Sequence, residues 1–291
     1  MVKDATMRAA MLFWRGLVWI VPRSAHTIAG WFIGNIFLWL PIRQRAVAKK
    51  NIAHCFPDFS EQQTGDMIVR HAAVLGMAFF DTAIAWFWSD KRIKKVVDYQ
   101  INGLDALESK DGRGTLLLYN HSLHFMLDAR LVALHHEIYS ISRNIKTSSY
   151  LNNQFTQYRL RACVDYALPN QPIKLIRWLK KGHVVCFAMD QDYGSDQSII
   201  INFFNQPAAT ITVPYKLHKM TNCRICMGDS YYDDNGKLII DIKELTSLDE
   251  TCQQSFLQAL NDEISAQISR RPHEYHWYYK RFKSVGLYEN K

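Results

Sequence analysis

Glycine-rich phosphate loops are missing from this 291-residue chain. Neither a Walker-type loop nor a G-x-G-x-x-G occurs, which argues against the common nucleotide and dinucleotide enzymes. A G-x-S-x-G elbow is also absent, so Ser122, although beside His121, has no hydrolase turn to expose it. The HExxH pattern is missing, and Cys223-Arg224-Ile225-Cys226 is a lone C-x-x-C with no second Cys/His pair at zinc spacing. The six cysteines (Cys55, Cys163, Cys186, Cys223, Cys226, Cys252) are too scattered for a disulfide framework and fit a reducing compartment. Basic residues come without zinc-finger spacing or RNP-type aromatics, so no nucleic acid partner is expected. The apolar runs at the N-terminus fall short of the roughly 18–20 residues of a spanning helix. No small-residue cleavage site follows them, so no removed signal peptide is expected.

What is present is core-forming material: 48% hydrophobic residues with 13% aromatics, enough for a large α/β domain with a small accessory part. A formal charge of +8 points to anionic partners such as a membrane surface, phosphorylated substrates or an acidic carrier protein. Residues 11–21 (MLFWRGLVWIV) and 28–40 (IAGWFIGNIFLWL) are rich in Trp and Phe. They are flanked by Arg8, Arg15, Arg23, Arg43 and Arg45. They read as two short interfacial helices, a membrane anchor over residues 1–41 ahead of a main domain over 42–291. A pair of core helices packed on the main domain is the alternative.

Beyond Pro41 the pattern is one of alternation. Ser60 followed by Gln63 is a capping box, and the helix it opens runs to Trp86-Phe87-Trp88. Strands are expected at 96–101, 116–119, 137–142, 164–168 and 183–189, with a further segment at 198–204. A strand pair is expected around Asp234-Asn235-Gly236. Helices are expected at 150–161, 169–181, 213–220 and 249–270. Such alternation predicts an α/β fold, a mixed β-sheet flanked by helices.

The stretch with chemical promise is residues 114–130. The apolar run Leu116–Tyr119 gives way to Asn120-His121 and a helical pattern, a usual place for chemistry in α/β proteins. Spacings of three and seven put His121, His124 and Asp128 on one helical face, where a carboxylate can orient an imidazole as general base. The same three residues could ligate zinc, although no metal motif supports that. Two further strand ends carry polar clusters, Arg143-Asn144 and Asp190-Gln191-Asp192.

Several segments carry a likeness to a known family. They are Asn51–Asp58 (NIAHCFPD), Ala85-Trp86-Phe87-Trp88 with Asp90–Ile93, Asp190–Gly194 (DQDYG), Phe203-Phe204 with Ala208–Thr212, and Pro272–Lys283. In this order, over roughly residues 12–284, the chain resembles the late acyltransferases of lipid A biosynthesis, the lauroyl/myristoyl transferase family. The resemblance implies a glycerolipid-acyltransferase-like fold at the cytoplasmic face of the cell inner membrane. It implies transfer of a fatty acyl chain from acyl carrier protein to a hydroxyacyl chain on a lipid A precursor. No cofactor and no covalent intermediate are implied. The family's active site is a histidine followed, after four intervening residues, by an acid. Matching Ala129-Arg130 places His121 on that histidine, but Met126 stands where the acid belongs.

Three possibilities follow. Asp128 serves His121 through a shifted helix, His124–Asp128 is the working pair, or the protein is an impaired paralogue acting as a lipid-binding scaffold. An acyltransferase for another hydroxyacyl glycolipid is a further reading. The expected supporting residues are Arg143, Arg159 and Arg161 for oxyanion or phosphate contacts. Asp190 and Asp192 are expected to organise the site, and Lys280, Arg281 and Lys283 to contact glucosamine phosphates or the carrier.

Overall fold

The computed structural model describes residues 2–39, 43–144 and 148–289. Its centre is a seven-stranded sheet built from β1 (Tyr99–Asn102), β2 (Thr115–Tyr119), β3 (Ile138–Ile141), β4 (Asp165–Ala167), β5 (Val184–Ala188), β8 (Arg224–Tyr232) and β9 (Leu238–Glu244). The order is β1-β9-β8-β2-β5-β3-β4. Every neighbouring pair is parallel except β8–β9, which the turn at Asp234-Asn235-Gly236 folds back as a hairpin. Gly236 supplies the positive φ of 78° which that turn requires.

The two central strands are apolar along their length because both faces are covered. Leu116, Leu118, Val185 and Phe187 point into one core layer, shared with Phe256, Leu260 and Ile264 of α10 (Gln253–Arg270). Leu117, Val184 and Cys186 alternate to the other face. There they meet Phe80 and Ile84 of α4 (Glu61–Phe87) and Leu127 and Leu131 of α6 (Phe125–Val132).

The capping box closes as the sequence predicts. The Gln63 backbone N–H donates to Ser60 Oγ at 3.2 Å, and the Ser60 N–H to Gln63 Oε1 at 2.8 Å. The helix it starts, α4, is the one helix among the described residues long and apolar enough to cross a membrane. Half of that apolar window is buried inside the protein, as in a core helix.

Ahead of it, α1 (Val2–Ile20) and α2 (His26–Trp39) lie against α4 and α7 (Ser149–Ala162). The α2–α4 crossing is backbone on backbone. A Cβ added at Gly34 would stand 2.1 Å from the Ala72 carbonyl oxygen, and one at Gly76 1.9 Å from that of Gly30. One face of this helix pair is therefore fastened to the domain. The other carries exposed Leu12, Phe13, Ile28, Trp31, Phe32, Ile36 and Trp39. Arg23, expected as a basic flank, is instead turned inward, with its guanidinium on Asp81 at 2.9 Å and on the Tyr232 hydroxyl. The expected boundary between anchor and domain, at residues 41 and 42, lies outside the described residues.

The sequence pattern sets apart the segment that forms β6 (Ser198–Phe203) but misses its antiparallel partner β7 (Gln206–Ile211). The turn between them is Phe204-Asn205, both with positive φ. Without glycine it carries no hairpin signature.

Candidate active site

His121 sits two residues beyond the end of β2, where backbone pairing stops and the turn into α6 begins. The neighbouring strand β5 ends at Ala188 and delivers Asp190 to the same edge. The Asp190 carboxylate accepts the His121 backbone N–H at 2.9 Å and the ring Nδ1–H at 2.6 Å. Burial alone would push this carboxyl upward. His121, as charge and as donor of two hydrogen bonds, together with the Tyr275 hydroxyl, outweighs that and brings it down to about 2. With Nδ1 committed to a carboxylate, the lone pair of the neutral ring lies on Nε2, where the Gln191 amide N–H donates at 3.2 Å.

Nε2 faces a chamber of about 280 Å³ whose walls include Phe125, Met126, Arg143, Gln191 and Tyr193. A second, mainly apolar cavity of about 110 Å³ adjoins it between α6, α4 and α7, with Trp86, Phe155 and Tyr158 in its walls. The two share Tyr119, Phe125, Met126, Ile141 and Ser142. The site is thus an imidazole with an oriented basic nitrogen at the mouth of a greasy pocket.

Asp128 goes elsewhere. Its carboxylate lies 3.0 Å from His124 Nδ1 and accepts the hydroxyls of Ser122 at 3.0 Å and Ser230 at 2.6 Å. The other ring nitrogen of His124 meets Glu274 at 3.0 Å. Burial by itself would lower the pKa of this imidazole. The two flanking carboxylates reverse that and hold it well above the ordinary histidine range. His124 is therefore an imidazolium, 1% exposed, with both N–H groups donated to carboxylates. It has no nitrogen free to take a proton from a substrate. The expectation that Asp128 orients His121 is corrected: in the turn Asn120–His124 the backbone does not run on as helix, so the assumed common face does not exist. The regular helix begins only at Phe125.

The basic residues divide. Arg143 is exposed at the chamber wall, stacked 5.0 Å from the Tyr193 ring. Arg159 lines the second cavity, over Phe155 and Tyr166, and donates to the Arg143 carbonyl. Arg161 donates to the Trp86 carbonyl at 2.7 Å, closing the end of α4 rather than facing the chamber. Arg281 is a clear correction. It is 1% exposed, donating to the Ala209 carbonyl at 2.6 Å over the Phe203 ring, and cannot meet a phosphate. Lys280 and Lys283 on either side of it are exposed. Asp192 is buried and takes both the N–H and the hydroxyl of Ser284 at 2.7 Å, pinning the C-terminal segment.

Three residues escaped the sequence reading. Gln191 was visible only as the middle of the Asp190–Asp192 cluster. Glu274 ends a 3-10 turn far along the chain, and Tyr275 follows it in extended backbone. They brace the His121 turn through Leu123 N–H to the Glu274 carbonyl at 2.8 Å and through a bridge between Ser122 and Tyr275.

A family model described as bacterial lipid A biosynthesis acyltransferase matches residues 2–284. A lipid A biosynthesis acyltransferase of Haemophilus influenzae is 28% identical over 284 residues, 94% of this chain and 90% of that one. The lipid A biosynthesis palmitoleoyltransferase of Escherichia coli is 28% identical, covering 96% of this chain and 92% of its own. The lauroyltransferase of the same organism is 27% identical, covering 92% and 90%. Among solved structures, a 1-acyl-sn-glycerophosphate acyltransferase from Thermotoga maritima superposes with a TM-score of 0.40 at 10% identity, over 79% of this chain and 97% of that one.

Proposed function

The chain belongs to the bacterial lipid A biosynthesis acyltransferase family, and from that premise we propose that it moves a fatty acyl chain from acyl carrier protein to the hydroxyl of a hydroxyacyl chain on a lipid A precursor, with His121 as general base. One observation carries this reading: the buried Asp190 carboxylate on His121 Nδ1, with Nε2 turned to the chamber and met there by the Gln191 amide. A secondary alcohol is a poor nucleophile until a base accepts its proton. His121 Nε2 takes that proton as the alkoxide oxygen attacks the thioester carbonyl. The carbon–sulfur bond then breaks, and the carrier's thiol leaves with the proton from the imidazolium. Asp190 stabilises the imidazolium in between, without itself becoming protonated. The Gln191 amide and the Arg143 guanidinium are the donors beside the developing oxyanion.

The shared wall of Phe125 and Met126 suits the donor's hydrocarbon, with the second cavity taking its far end. Met126 at the position of the family's acid does not leave His121 without a carboxylate, because β5 supplies one. That favours a working enzyme over a scaffold. Exposed Arg143, Lys280 and Lys283 offer positive charge to an acidic carrier.

The exposed aromatic face of α1 and α2 supports seating on the inner membrane from its cytoplasmic side, where the acceptor lipid lies. The test is direct: purified protein, acyl carrier thioester and a tetraacylated or pentaacylated precursor, with products read by mass spectrometry. A gain of one acyl chain that is lost in His121→Ala is expected. No gain with the native protein would sink the reading.

A further inference from the structure

The proposed chemistry uses the cavities on one side of the His121 turn. A third, of about 290 Å³, lies on its other side, at the carboxyl ends of β2 and β8. Asn120 and Ser122, the two residues flanking His121, form part of its wall. Most of the rest is polar and mixed in sign. Arg270 is paired with Asp229. The Arg271 guanidinium lies 5.6 Å from the Tyr231 ring and only 3.6 Å from the exposed Asp234. Asp241 accepts from Asn102 at 2.7 Å. A narrow cleft of about 60 Å³ shares Asn120, Asp229 and Ser230 with this pocket. It runs beneath α6 along apolar residues such as Leu117, Val132 and Ile240, and reaches Tyr119 and Phe125, which also wall the catalytic chamber.

A pocket with an aromatic ring, carboxylates and amides is built for a polyhydroxylated ring, and a loosely held arginine for a phosphate on it. A polar pocket continued by an apolar cleft fits a ligand with a sugar head and a hydrocarbon tail. The head-group contact expected from Arg281 is not available, since that side chain is buried. We propose that this pocket is the subsite for the phosphorylated glucosamine head of the acceptor, with Arg271 holding its phosphate over Tyr231. The assignment rests on the acyl-transfer reading above and adds where the acceptor's head lies. The head is held beside the His121 turn on the β8 side of β2, whereas the donor's chamber lies on the β5 side.

Arg271→Ala and Asp241→Asn test it in the acyl-transfer assay. Removing a hydrogen bond to a charged group raises the acceptor KM by about tenfold or more. The donor KM should stay unchanged, and Arg271→Lys should recover part of the loss. Active variants with the native acceptor KM, or with donor and acceptor KM raised together, would overturn the pocket while leaving the acyl-transfer reading intact. If the native protein transfers no acyl chain, that reading fails, and the pocket is then judged by glucosamine 1-phosphate alone. Chemical-shift changes on titration that are lost in Arg271→Ala support it; none in the native protein overturns it.

Discussion

Asp190 and His121 meet at 2.6 Å across the adjacent ends of β5 and β2, and the same carboxylate holds the His121 backbone N–H at 2.9 Å. One buried group thus fixes both the position of the turn and the plane of the ring. Asp190→Asn should keep the fold but lower kcat by about 10²–10⁴-fold, because an amide can select the wrong tautomer and cannot stabilise the imidazolium. Asp128→Asn should cost far less in rate and more in stability, since its partners are His124, Ser122 and Ser230. Steady-state rates alongside circular dichroism separate the two. Equal loss of rate in both variants would remove Asp190 from its special place.

The imidazolium of His124 gives stability a pH dependence of known sign. Its folded pKa lies well above the ordinary 6.5. Its contribution is therefore fully present below 6.5 and is lost as pH rises through the raised value. The groups facing it are Asp128, Glu274, Ser122 and the Tyr232 ring. Native protein should lose melting temperature from neutral into alkaline pH more steeply than His124→Gln. The variant should start lower by about 3–5 kcal/mol, because two buried carboxylates are left without their cation. Asp190 works in the opposite direction, its contribution disappearing as pH falls from 3.8 through about 2. Parallel melting curves for native and variant protein between pH 7 and 10 would refute the clamp.

Much of this arrangement was legible in the chain and some was not, for physical reasons. Strands β2 and β5 announce themselves because a strand covered on both faces must be apolar throughout, and Ser60–Gln63 because a cap is local chemistry. His121 was legible as the residue where such a strand ends. Its partner was not, because spacing along a helix assumes that the helix has already begun, and residues 120–124 turn instead. The Asp190–His121 contact spans 69 positions, and the Glu274–His124 contact 150. Only the sheet order brings the first pair together. Arg281 illustrates the converse: a basic run reads as a surface, whereas the fold draws its middle residue inward onto Ala209 and Phe203.

The N-terminal helices should bind lipid through one face and the domain through the other. Ile28, Trp31, Phe32, Ile36 and Trp39 are exposed on α2, while Gly30 and Gly34 abut α4. Replacing Phe32 or Trp31 by Ser should leave the melting temperature nearly unchanged. Each should weaken binding to anionic vesicles by on the order of 2 kcal/mol, roughly thirtyfold. Gly34→Val should do the reverse, destabilising the fold by about 1–3 kcal/mol or more through overpacking. Vesicle co-sedimentation and thermal melts read the two effects. Native vesicle binding by a Trp31→Ser/Phe32→Ser double variant would show that this face is not the one that meets lipid.

Met126 provides the sharpest contrast between a working and an impaired site. It stands five positions after His121, where the resemblance calls for an acid, and its side chain lines both the chamber at His121 and the cavity beyond. If His121 lacked a carboxylate, Met126→Glu would raise the rate. With Asp190 already on Nδ1, a second carboxylate enters an apolar wall. It must then either stay charged beside the donor's hydrocarbon or take up a proton. The expected result is a fall in kcat/KM of about tenfold or more with long-chain donors, the size of a few kcal/mol of lost apolar contact and desolvation. The fall should be smaller with short-chain donors that do not reach the second cavity. Met126→Leu, which conserves volume and polarity, should stay close to native. A rate that climbs in Met126→Glu, uniformly across donor lengths, would mean that Asp190 does not do for His121 what the family's acid does.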